Sequence, residues 1–140
     1  MSKIFFIKNI IFSIVLLATN MNAAELKWEH NYNKALIKAE KEKKSVYLFI
    51  GADRCKHCKR FKEQTLSDKE LIKYMKKDYV LLYMSRDQHK IPNKFEIYGA
   101  PRHYFLTSDG KIIADTQGSR EIAGWYDVLD EVDLIKDEEK

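Results

Sequence analysis

From Trp28 onward the apolar residues of this chain switch between two spacings. Trp28, Tyr32, Leu36 and Ala39 recur every three or four positions and run into the charged residues 41–44. That pattern predicts an amphipathic helix with a solvated end. Ser45-Val46-Tyr47-Leu48-Phe49-Ile50 is instead a continuous β-prone run stopped by Gly51, as expected of a strand buried on both faces. A helix is expected to open around Cys55 and to carry Phe61. Ser67-Asp68-Lys69-Glu70 has the form of a capping box, opening a helix with Leu71, Ile72 and Met75 on its inner side. Residues 79–84 form the next buried strand.

Beyond Ile91-Pro92 the pattern changes. His103-Tyr104-Phe105-Leu106 and Ile112-Ile113-Ala114 flank Ser108-Asp109-Gly110, whose Asp-Gly pair predicts a turn between antiparallel strands. After Gly118, the residues Ile122, Trp125, Leu129 and Val132 mark a closing amphipathic helix. The charged tail from Lys136 is expected to fray. Trp28, Trp125, Met75, Met84 and the tyrosines sit at core or half-buried spacings. A strand–helix–strand crossover makes a parallel pair and the hairpin adds an antiparallel one. The predicted fold class is α/β, a mixed four-stranded sheet flanked by helices on both faces.

The first residues follow another layout. Lys3 and Lys8 flank a basic start, residues 10–18 are apolar, and the small residues Ala23 and Ala24 follow. This is the arrangement of a secretory signal peptide, and the apolar run falls short of the ~20 residues that span a bilayer. The expectation is a signal peptide over residues 1–23, a domain over residues 24–140, and an exported, periplasmic location. Secretion or an uncleaved N-terminal anchor are the alternatives. Of the formal charge of +4, two units lie in Lys3 and Lys8, so the domain is nearly balanced. Nothing electrostatic points to nucleic acid. A chain of 140 residues holds at most one ordinary domain, and two cysteines exclude a disulfide-stapled miniature. Export would put those thiols where disulfides form and persist.

The chemistry concentrates in Cys55-Lys56-His57-Cys58, which follows a predicted buried strand and opens a helix. A sulfur at a helix start meets free backbone N–H groups and the positive end of the dipole, which favour thiolate. Cys58, three residues on, shares the helix face one turn deeper. Cys55 can then attack a disulfide and Cys58 can resolve the mixed disulfide; an oxidised pair runs the steps backwards. Arg54, Lys56, His57, Lys59 and Arg60 crowd cations around the pair. They either tune the thiolate, His57 foremost, or form a screened basic rim.

Other readings of the two cysteines are weaker. A structural disulfide closing so short a loop stabilises little. Zinc needs more ligands, and His30, His57, His89 and His103 lack paired zinc-finger spacing. Arg102 and His103 alternate in a strand, so only one of them can face the site, and a structural or surface role is expected for both. Asp53 and Glu63 are read as surface acids.

Val46-Tyr47-Leu48-Phe49-Ile50-Gly51-Ala52-Asp53-Arg54-Cys55-Lys56-His57-Cys58-Lys59 and Tyr98-Gly99-Ala100-Pro101, followed by Ser108-Asp109-Gly110, resemble the thioredoxin superfamily. The similarity is strongest to exported thioredoxin-like proteins that begin with an extra N-terminal amphipathic helix, and it covers residues 25–135. The resemblance implies a thioredoxin fold, with Pro101 as the family's cis-proline and Ala100 pairing its backbone with an extended substrate. It implies a thiol–disulfide oxidoreductase with no cofactor beyond its dithiol, acting on proteins that bear thiols or disulfides and recharged by a membrane redox partner. The chain departs from thioredoxins at Arg54, where they carry Trp, and at Phe49, where they bury an Asp that helps deprotonate the second cysteine. His57 matches exported disulfide oxidases, but nothing between Cys58 and Pro101 is long enough for their helical insertion. The direction of electron flow stays open. The alternative function is a module that holds Cu(I) or zinc on the dithiol. A monomer is the default, since no exposed heptad or apolar patch suggests a dimer.

Overall fold

Asn31 opens the first helix, its side chain accepting the N–H of Lys34 at 3.0 Å. The computed structural model describes residues 28–95 and 98–140. The expected signal peptide, residues 1–23, lies outside them. Helix α1 (Tyr32–Glu42) is followed by β1 (Ser45–Gly51), α2 (Lys56–Gln64), α3 (Lys69–Asp78) and β2 (Tyr79–Ser85). A short 3-10 turn (Asn93–Phe95), β3 (Arg102–Leu106), β4 (Ile112–Gln117) and α4 (Ile122–Glu138) complete the chain. The sheet order is β2-β1-β3-β4, with β1 parallel to β2 and antiparallel to β3, and with β3 antiparallel to β4. This is the mixed four-stranded α/β sheet that the hydrophobic pattern predicts. No described helix is long and apolar enough to cross a membrane.

Helix α1 starts later than the spacing of Trp28 suggests. Glu29 leaves the helical path to bridge to β2, giving its N–H to Leu81 at 2.8 Å and taking the N–H of Tyr83 at 2.9 Å. The periodic placement of Trp28 reflects edge-on packing of its ring against Tyr47, at 6.0 Å between centroids. The helix ends at Lys43, whose left-handed backbone (φ 55°) lets the chain turn into β1. Residues 41–44 are not all solvated: the Lys44 ammonium donates to the Lys76 carbonyl at 2.7 Å.

Alternation along β1 divides the core. Tyr47 and Phe49 face Phe61 of α2, Leu71 and Met75 of α3, and Trp125 and Leu129 of α4. Val46, Leu48 and Ile50 point the other way, against Ala35 and Ala39 of α1. Those alanines are fully buried and small, so the α1 backbone can lie close to the sheet. Each large apolar side chain removed from water in this way contributes about 1.5–3 kcal/mol. With both faces covered, β1 reads as a continuous apolar run.

Three local expectations change. The cap of α3 is Asp68, which accepts the Leu71 N–H at 2.8 Å, while Ser67 donates its hydroxyl backwards to the Glu63 carbonyl. The tail does not fray at Lys136. There α4 continues to Glu138, and the Lys136 ammonium donates to the Tyr79 hydroxyl at 2.7 Å. Tyrosine is not always core: Tyr98 is 97% exposed. Tyr83 leans on Gly51, the last residue of β1, where a Cβ would come within 2.9 Å of a ring carbon.

Candidate active site

Strand β1 delivers the chain through Gly51 and Ala52 to a turn from which Cys55 starts α2. Cys55 is the N-cap itself: its backbone is extended (φ −111°, ψ 101°) and its Sγ accepts the Cys58 N–H at 3.1 Å. Sulfur thus takes the place usually filled by the oxygen of Ser, Asp or Asn. The Lys59 N–H reaches the Cys55 carbonyl at 3.1 Å, closing the first helical turn. Cys55 and Cys58 are joined by a disulfide, with an S–S distance of 2.09 Å. Cys55 is half-buried, whereas Cys58 is 2% exposed and belongs to the core cluster of Phe49 and Phe61. The asymmetry is that of one sulfur reachable from outside and one held beneath it.

Arg102 pairs with Ile50, so β3 begins at the end of the sheet where β1 departs for Cys55. The Ala100–Pro101 peptide bond is cis. Ala100 packs against the core cluster that contains Cys58, as does Cys55. The Pro101 carbonyl accepts the Gly118 N–H at 3.0 Å, and the Gly99 carbonyl accepts Nε–H of Arg86 at 3.2 Å. This loop is therefore tied on both sides of Ala100.

The cations around the pair spread outward. Arg54, Lys56, His57, Lys59 and Arg60 are exposed. Lys59 lies 3.9 Å from Glu63, a spacing of little energetic weight at the surface, and Nε of Arg60 donates to Gln64 at 3.2 Å. Asp53 is exposed but not idle. Its carboxylate accepts the Ser85 hydroxyl at 3.0 Å and the Gln88 amide at 2.8 Å, and its N–H donates to Asp87 at 2.7 Å. These bonds fasten the turn before Cys55 to the end of β2.

Arg102 and His103 are both buried, at 7% and 0% exposure, so neither takes a surface role. Arg102 reaches Asp115 at 3.0 Å and Gln117 at 2.9 Å on β4. His103 points to the other face, stacked among Tyr47, Phe49, Phe61 and Trp125. Its two nitrogens bond to the Tyr47 hydroxyl and the Gly118 carbonyl. Burial lowers its pKa from 6.5 to about 4. Among the described residues, no group of three or more His, Cys, Asp or Glu side chains gathers as a metal site.

Sequence reasoning missed a cleft of about 490 Å³ beside the disulfide, lined by Asp53, Cys55, Cys58, Lys62, Glu63 and Tyr83 among others. Lys62 holds its ammonium 3.8 Å from the centroid of the Tyr83 ring and 5.8 Å from that of Phe49. Phe49 and Tyr83 are register partners on β1 and β2, with ring centroids 5.2 Å apart. The available signal was two aromatic residues in neighbouring predicted strands together with a lysine four residues beyond Cys58 on the same predicted helix.

Similar proteins agree with this architecture. A family model described as thioredoxin-like matches residues 27–108. The solution structure of a thioredoxin from Thermus thermophilus is similar at a TM-score of 0.66 and 22% identity, covering 77% of this chain and 87% of that one. A putative disulphide-isomerase from Bacteroides thetaiotaomicron gives a TM-score of 0.63 at 23% identity, covering 76% and 88%. The oxidised C-terminal domain of DsbD from Neisseria meningitidis gives 0.59 at 15%, covering 75% and 98%. An uncharacterized protein of Archaeoglobus fulgidus is 32% identical over 63 residues, which are 45% of this chain and 50% of that protein. The match thus spans about half the length of that curated relative. With the family model covering more than half of the sequence and the sheet order and helix placement in accord with it, the chain belongs to the thioredoxin-like family.

Proposed function

We propose that this protein is an exported thiol–disulfide oxidoreductase that exchanges its Cys55–Cys58 pair with the thiols or disulfides of other proteins. The observation that carries the reading is the disulfide that joins a half-exposed cap sulfur to a buried one three residues on. When the pair is reduced, the helix start stabilises the Cys55 thiolate. That thiolate attacks a substrate disulfide, one substrate sulfur leaves as thiolate, and a mixed disulfide forms. Cys58 then attacks Cys55 Sγ, the substrate's second sulfur leaves, and the enzyme is oxidised as the substrate is reduced. A substrate dithiol meeting the oxidised pair takes the same path in reverse.

Ala100, half-buried beside the pair, supplies the backbone edge to which an extended substrate adds, and Pro101 sets that edge. His57, exposed between the cysteines, tunes the thiolate of Cys55. The reaction uses no cofactor beyond the dithiol. The layout of residues 1–23 supports export to the periplasm, where a membrane redox partner resets the pair. Names among the structural relatives, a DsbH oxidoreductase and the DsbD domain, support exchange with protein thiols.

The test is to equilibrate the full chain across glutathione ratios, trap its thiols by alkylation and follow reduction of a protein disulfide. A midpoint near about −270 mV assigns a reductase, and one near about −120 mV an oxidase. Stoichiometric Cu(I) or zinc binding with no exchange in either direction would overturn the redox reading.

A further inference from the structure

Opening the disulfide leaves a problem at Cys58. The residue is 2% exposed, within a cluster of rings and alkyl groups. Burial of that kind disfavours thiolate, yet Cys58 must be a thiolate to attack Cys55, or to leave from it. Strand β1 offers no help, since Phe49 stands where an ionisable group could have faced the sulfur.

The charged and titratable groups around this sulfur's cleft can be taken element by element. The turn after β1 presents Asp53, whose carboxylate is engaged by Ser85 and Gln88 and whose charge opposes a thiolate. Helix α2 presents Lys59 and Glu63, which are 76% and 64% exposed and face each other at 3.9 Å, and also Lys62. Strand β2 presents Tyr83. Lys62 differs from the rest. It follows Cys58 by four residues, hence on the same helix face. Its ammonium rests on the Tyr83 ring at 3.8 Å, with Phe49 at 5.8 Å. Among the described residues no carboxylate lies within 4.0 Å of it, whereas Lys59 pairs with Glu63.

We propose that Lys62 is the positioning residue for Cys58, a cation parked on the Phe49–Tyr83 ring pair that stabilises the buried thiolate. The inference rests on the redox reading above and adds to it the group that serves the second sulfur. In the resolving step Cys58 yields its proton to water in the cleft. Its thiolate then bonds to Cys55 Sγ, and the substrate sulfur departs with the bonding pair and takes up a proton. In the reverse step Cys58 is the leaving group. A stabilised thiolate leaves faster. Lys62 therefore acts in both directions.

The ring contact alone predicts only a small loss of stability. The thiol itself separates the two roles. In full-length Cys55→Ser protein, ultraviolet thiolate absorbance against pH gives the Cys58 midpoint without any turnover. Adding Lys62→Met is expected to move that midpoint upward by about one pH unit, Lys62→Gln to do the same, and Lys62→Arg to restore it. In protein with both cysteines, Lys62→Met should slow release of glutathione from a preformed mixed disulfide about threefold, the roughly tenfold loss of thiolate being partly offset by the higher nucleophilicity of the more basic sulfur. An unchanged Cys58 midpoint in folded Lys62→Met and Lys62→Gln proteins overturns the proposal. Absence of disulfide exchange in the unaltered protein would instead sink the redox reading, whatever the midpoint.

Discussion

Tyr47 and His103 meet across β1 and β3, with the phenol hydroxyl donating to Nδ1 of the imidazole at 2.8 Å. On its other side Nε2 lies 2.9 Å from the Gly118 carbonyl, which can only accept. The carbonyl therefore holds a proton on Nε2, and with burial disfavouring the charged ring Nδ1 is left to accept from Tyr47. An added proton on Nδ1 would face the Tyr47 oxygen in a dry site.

Stability should follow that arrangement as pH falls. The unfolded chain protonates this histidine near 6.5, but the native protein does so only near 4, chiefly because the ring is buried. Above pH 6.5 neither state binds the proton and no penalty exists. Between pH 6.5 and 4 the unfolded state binds a proton that the native state refuses, so stability declines. Below about pH 4 the term is constant, at up to about 3 kcal/mol. Denaturant titrations of the unaltered protein and His103→Gln should show the stability advantage of the former shrinking from pH 7 to pH 4. Parallel curves would exclude the histidine as the source.

Cys58→Ser should stall exchange after the first step. Cys55 can still attack, so a one-to-one mixed disulfide with the substrate protein accumulates and survives non-reducing electrophoresis. Turnover should fall at least about a hundredfold. Cys55→Ser should form no such adduct at a comparable rate, because the remaining sulfur is buried.

Lys43 holds a left-handed backbone with a side chain that disfavours it. Lys43→Gly is expected to raise unfolding stability by about 0.5–1 kcal/mol, measured by urea denaturation, with no effect on the cysteines.

The cap of α3 offers a paired test. Asp68→Ala removes the acceptor for the Leu71 N–H and should cost about 1 kcal/mol. Ser67→Ala removes only a hydroxyl pointed at Glu63 and should cost a few tenths. The reverse ranking would restore Ser67 as the cap.

That pair also illustrates what the sequence could reveal. The spacing of Ser67 and Glu70 fits a capping box, but Asp68 is an equally good acceptor one step later, and only the path of the chain from Thr65 decides between them. The strands were legible because β1 and β2 are covered on both faces and so carry unbroken apolar runs. The cysteine pair was legible because its motif sits between such a run and a helix. Burial of Arg102 was hidden, since its compensation comes from Asp115 and Gln117 on another strand. Lys62 was hidden for a similar reason: its ring contacts combine residues from α2, β1 and β2. Trp28 misled because one spacing serves both a helical turn and a ring resting on Tyr47.

Glu29 has a consequence beyond the start of α1. Strand β2 is outermost on its side of the sheet, and a bare outer strand is a template onto which another chain can add. A single residue occupies the Leu81 carbonyl and the Tyr83 amide that would otherwise advertise that template. Shortening the chain from its front to beyond Glu29 would strip the Trp28 ring from Tyr47 and unlatch this border, and strand-by-strand self-assembly is the failure such a truncation invites.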